Sequence, residues 1–147
     1  MDLAGVDLGD LAVELAEIAA WGAVAIALLA IGYCVIDLLT PGRLGQLIYT
    51  EHNVNAAVVV ASGVIAVGTI VTASVLTSLD GFTEGLLSAA AFGLVGIALL
   101  AVAFLVLDRL TPGDLGAVVT DPTPNPAAWV LAANHVALGA ILAAAIS

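Results

Sequence analysis

Four long apolar runs govern what this chain can fold into. They cover roughly Trp21–Leu39, Ala56–Leu79, Leu86–Leu107 and Ala127–Ile146. About 20 apolar residues carry a helix across the hydrocarbon core of a bilayer. The segments between the runs read TPGRLGQLIYTEHNVN, DGFTEG and TPGDLGAVVTDPTPNP. Pro, Gly, Asn and Asp gather there, as connections require. Only 10% of the 147 residues are charged, against about 25% in a soluble domain. The expectation is an all-α integral membrane domain of four transmembrane helices over residues 19–147, with the lipid bilayer as its main partner.

Residues 1–18 are different. Asp2, Asp7, Asp10, Glu14 and Glu17 precede the first run without a basic segment, so no secretory signal peptide is expected. Leu8, Leu11, Leu15 and Ile18 alternate with the acids at helical spacing. A short N-terminal amphipathic helix is expected here. Its acidic face either is solvated in high salt or forms an outer vestibule that concentrates cations. Cys34 is the one cysteine and lies inside the first run, so it is expected to be a small buried apolar residue.

The charge is lopsided, with twelve Asp and Glu against two Arg. Nothing in such a chain neutralises phosphates, so no nucleic-acid partner is expected. A basic patch for anionic lipid is missing too. Acid-rich, Ala/Val/Gly-rich usage suggests a halophilic composition, with a high-GC bacterium as the alternative. The two basic residues, Arg43 and Arg109, fall in connections on the same side of a four-span protein. The positive-inside rule makes that side cytoplasmic, which puts both termini outside the cell membrane.

The chain also repeats itself. DLLTPGRLG at Asp37–Gly45 returns as DRLTPGDLG at Asp108–Gly116, 71 positions later, and 15 of 24 positions are identical between Gly22–Gly45 and Gly93–Gly116. Each half (19–79 and 86–147) reads as a helix, a Thr-Pro-Gly connection and a second helix. Both halves start from the same side, so two parallel helical-hairpin repeats are expected, related by an axis along the membrane normal. Thr40, Pro41 and Gly42, and equally Thr111, Pro112 and Gly113, are the helix-breaking turns: Pro ends a helix and Gly supplies positive φ.

Asp37 and Asp108 then sit in the last turns of their helices, where the helix dipole disfavours negative charge. Either each serves hydrogen bonds of its own turn or an Arg, or the pair faces a cation or proton path. Asn53, Asn55 and Asn125 precede the second and fourth runs and read as helix caps, or as a polar ring at the cytoplasmic mouth. Asn134 and His135 lie well inside the fourth run, where polar side chains face protein or water. They form either an interhelical hydrogen bond or part of a proton-responsive path.

Two-helix halves ending in D-x-L-T-P, followed by Asn-Ala-Ala, resemble the YjfL-like inner-membrane proteins, catalogued as domain of unknown function 350. The matching residues are Asp37–Pro41 with Asn53–Ala57, and Asp108–Pro112 with Asn125–Ala128; AAVVVASG at Ala56–Gly63 is also similar to that family's second helix. The second half departs from the pattern, with Asn134 standing where the first half has Gly63. The resemblance implies a duplicated four-span membrane protein and supplies no activity. It also hints at envelope stress, because some relatives are encoded beside coat proteins resembling phage-shock protein A.

No HExxH, P-loop, Gly-x-Ser-x-Gly or cysteine cluster is present, so no enzymatic role, metal or cofactor is expected. Four short Ala- and Gly-rich helices leave little room for a solute path, so a homo-oligomer is expected. Two functions remain open: an oligomeric channel or transport-related protein for small cations or protons, and a non-conducting scaffold or anchor for a cytoplasmic coat or stress protein.

Overall fold

The computed structural model describes residues 7–40, 42–78, 81–110 and 115–147. These form α1 (Leu8–Leu39), α2 (Leu44–Tyr49), α3 (Val54–Leu76), α4 (Phe82–Leu110), α5 (Leu115–Thr120) and α6 (Pro126–Ile146). Four of them, α1, α3, α4 and α6, are long and apolar enough to cross a membrane.

α1 corrects one expectation. The acidic stretch before Trp21 is helical, yet it is not a helix of its own. Asp7 caps the start, its carboxylate accepting the Gly9 N–H at 2.8 Å. From Leu8 no proline interrupts the run until Leu39, so 32 residues form one rod about 48 Å long. That exceeds a hydrocarbon core of about 30 Å, and Leu8–Ala16 are exposed.

The far end of α1 behaves as its sequence requires. The Thr40 N–H closes the last turn onto the Ile36 carbonyl, and Thr40 itself is extended (φ −96°, ψ 126°), the conformation favoured before proline. Gly42 takes φ +95°. Pro41, Thr111, Pro112 and Gly113 lie outside the described residues. The short helices α2 and α5 inside the connections were not expected. Their bounds are 71 residues apart, as are the last residues of α1 and α4.

α3 is the central helix. In its apolar window 56% of residues are buried within the protein, against 11% for α1. Its pairing with α6 is the most extensive, with α1 and α4 alongside. At the α2/α5 end, Leu44, Leu47, Val59, Val119 and Leu131 form one apolar cluster. In mid-bundle, Leu28, Val67, Ile70, Ile97 and Leu100 form a second. The α3–α6 crossing is tight because residue 139 is glycine: a Cβ there would lie 2.6 Å from the Ala66 Cα.

The outer faces carry Ile26, Leu87, Val130 and Ile141, each more than 60% exposed. In water such a surface would be unfavourable, but against lipid chains it is the expected lining. Cys34 is also exposed, which corrects the expectation of burial. α1 touches the bundle along a narrow stripe only, so most of its small apolar residues face outward.

Candidate functional site

The polar residues singled out from the sequence fall into three places. The first is a clasp between the start of α3 and the α5–α6 connection. Asn53 is the N-cap of α3, its Oδ1 accepting the Ala56 N–H at 3.0 Å. Its Nδ2 donates to the Asp121 carbonyl at 2.9 Å. Asn55 does not cap. Its Nδ2 donates to the carbonyls of Asp121 (3.0 Å) and Thr123 (2.8 Å), and its Oδ1 accepts the Asn125 N–H at 2.9 Å. Asn125 caps α6 through the Ala127 N–H at 3.0 Å, followed by Pro126 at the first helical position.

Asn53 and Asn55 are 4% and 3% exposed. Both donors of the Asn55 amide and its oxygen are engaged, so this side chain has no NH₂ hydrogen left for a solute. The clasp ties two segments 66 to 70 residues apart in sequence. The sequence suggests caps or a mouth for these asparagines and does not reveal the clasp, since nothing local marks backbone carbonyls so distant as partners. The connection is further stiffened by Asp121, whose Oδ1 accepts the Thr123 hydroxyl at 2.6 Å and the Thr123 N–H at 2.9 Å. The hydroxyl first, then the backbone N–H, hold the Asp121 carboxyl below the usual carboxylate range.

The second place is the end of α1. Asp37 Oδ1 accepts the Leu44 N–H at 3.1 Å. Leu44 opens α2, and the N-cap residue there, Arg43, makes no side-chain capping bond. Asp37 therefore caps α2 from seven residues upstream, which gives its carboxylate a positive helix end. Asp108 is half-buried at the equivalent level of α4.

The third place is within the bundle. His135 is 4% exposed, and its Nδ1 lies 3.0 Å from Ser62 Oγ. Ser62 Oγ is also 2.8 Å from the Val59 carbonyl. A hydroxyl has one proton; given to Val59, it leaves Oγ as acceptor for an Nδ1–H on His135. The Phe104 ring of α4 stands 5.4 Å from the imidazole, centroid to centroid. Beside them is a cavity of about 20 Å³ lined by Gly32, Ile36, Thr40, Gly63, Phe104 and His135 among others, room for about one water molecule. Asn134, the neighbour of His135, points elsewhere: it is half-buried, and its side chain has no hydrogen-bond partner among the described residues.

The structure thus brings Asn53, Asn55 and Asn125 together and joins His135 to Ser62. It does not bring Asn134 into either set, and it places the Asp37 carboxylate at the start of α2 rather than in the last turn of α1. Among the described residues no group of three His, Cys, Asp or Glu side chains could hold a metal.

Comparison with known proteins agrees with this architecture. The family model described as Domain of Unknown Function (DUF350) matches residues 10–146. A UPF0719 transmembrane protein of Mycolicibacterium paratuberculosis is 36% identical over 125 residues, covering 85% of this chain and 83% of the relative. A UPF0719 transmembrane protein of Mycobacterium bovis is 30% identical over 121 residues, covering 82% and 80%. No solved structure matches the chain. With four membrane-length helices and a match across nearly all of its length, the chain belongs to the DUF350 family and is a multi-pass membrane protein.

Proposed function

We propose that this protein is a non-conducting scaffold or anchor in the cell membrane, a binding protein rather than an enzyme. In this reading α2, α5 and their connections face the cytoplasm, where they dock a peripheral coat or stress protein. Both termini lie outside. The orientation rests on Arg43 and Arg109. The observation that carries the reading is that four of the polar groups the sequence offers for a path are spent on the chain's own bonds. Asn53 and Asn55 hold backbone carbonyls, Asp37 caps α2, and His135 is engaged by Ser62. On the proposed docking face Tyr49 is 79% exposed.

A second reading, an oligomeric channel or transport-related protein for small cations or protons, is favoured by one observation. Asn134 leaves an unsatisfied amide on the bundle's flank at membrane depth. Reconstitution separates the two. In vesicles carrying proton, potassium or sodium gradients, the scaffold gives no flux above protein-free vesicles. Flux that changes between about pH 5.5 and 7.5, the range in which an ordinary His titrates, and that loses this dependence in His135→Leu, establishes the channel instead. Cysteine labelling in a Cys34→Ala background tests orientation: outside access at Gln46 with inside access at Gly81 reverses it.

A further inference from the structure

We propose that α6 is the seam of a parallel homodimer, centred on a hydrogen bond between the two copies of Asn134. The argument starts from the amide. Asn134 lies eight residues into α6, about 12 Å from its start and 18 Å from its end. At that depth no water is at hand, and an amide in hydrocarbon requires a protein partner. This chain supplies none among its described residues.

The residues around it form a pattern. Ala127, Val130, Asn134, Ala137, Ile141 and Ala144 are spaced 3, 4, 3, 4 and 3 apart, the heptad spacing of a helix seam. None of the six is buried in the chain; Val130 and Ile141 are 64% and 62% exposed. The buried residues of α6, such as Leu131, His135 and Gly139, lie on its other side against the rest of the bundle. So Val130, Ala137, Ile141 and Ala144 leave the seam exposed along the span, with Ala127 and Asn134 half-buried. Ala137 and Ala144 allow a second backbone close, as small residues do between membrane helices.

The occupant follows from the chemistry of the amide. Two copies inserted in the same direction meet about an axis along the membrane normal, which brings equal depths together. Asn134 then faces Asn134, and a carboxamide is both donor and acceptor. A single Asn within such a seam sets register and partner number. The proposal holds whether or not the protein conducts.

Single cysteines in a Cys34→Ala background, in native membranes or phosphatidylcholine vesicles, test it. Ala137→Cys should form a disulfide-linked dimer on mild oxidation. Val136→Cys is exposed but lies about 130° round the helix from the seam centre and should not. Measured by energy transfer on dilution with lipid, Asn134→Leu should weaken dimerisation by about 5- to 30-fold, and Asn134→Gln should largely restore it. Thermal unfolding of the Leu variant checks that the fold persists. A wild-type protein that stays monomeric overturns the proposal. So do cross-linking at 136 in preference to 137, an Asn134→Leu variant that dimerises as well as the parent, or oxidation that links position 137 only to another protein.

Discussion

Replacing Gly139 by Ala should pry apart the central helix pair. The added Cβ would lie 2.6 Å from the Ala66 Cα, 2.7 Å from its Cβ and 3.0 Å from its carbonyl oxygen. Two of these are backbone atoms, so no rotamer change relieves the contact. Carbon atoms in packed interiors rest about 3.5 to 4.0 Å apart. The helices must therefore separate by about 1 Å at the crossing. A gap of that size forfeits a quarter to a half of the attraction of each contact it opens, and overpacking of this kind costs about 1–3 kcal/mol. The Ala side chain returns up to about 1 kcal/mol through its better helix preference. The expected net loss is about 1–2 kcal/mol. Gly22→Ala is the control, because nothing lies within 4 Å of a Cβ at that position; it should be neutral or slightly stabilising. Equilibrium unfolding in mixed micelles, titrated with a denaturing detergent and followed by circular dichroism, reads both. If the two substitutions shift stability in the same direction by the same amount, the close α3–α6 crossing is wrong.

Asn55→Leu removes the bonds to Asp121, Thr123 and Asn125 together and should cost about 3 kcal/mol from the polar groups left unpaired; protease cleavage between residues 121 and 125 should rise, and an unchanged cleavage rate would count against the clasp. Ser62→Ala should destabilise by about 0.6–1.7 kcal/mol, the range of interhelical bonds in membranes, and no loss at all would mean that the His135 contact carries nothing. Asp37→Asn should be mild because Asn still accepts the Leu44 N–H, whereas Asp37→Ala should lose about 1 kcal/mol; equal effects would remove the capping role. The Asp121 carboxyl should titrate below about 3.9 by NMR. Because its folded form is the more acidic, its support of the α5–α6 turn is complete above that pH and fades as pH falls through the folded value. A midpoint at or above the ordinary value in the folded protein would refute the Thr123 bonds.

Much of this protein is determined locally. Runs of apolar residues the length of a bilayer determine α3, α4 and α6 to within a few residues, because a membrane rewards any helix of that length regardless of its neighbours. Thr40, extended as a residue before proline prefers, ends α1 by local backbone sterics. The caps of Asn53 and Asn125 are local as well, each reaching only two or three residues onward. The start of α1 is not legible in the same way: the acids before Trp21 suggest a change of element, while helix continuity needs only the absence of a breaker, and α1 begins at Leu8. What the tertiary structure decided is which polar atoms meet. Asn55 finds Thr123, Ser62 finds His135, and Asp37 finds the start of α2. In a water-soluble chain, alternating polarity shows which face turns inward, but in a bilayer both faces are apolar and that signal is lost. The inner face of each helix is chosen instead by small shape differences, such as the glycine at 139 against Ala66, and these take effect only once two helices are side by side.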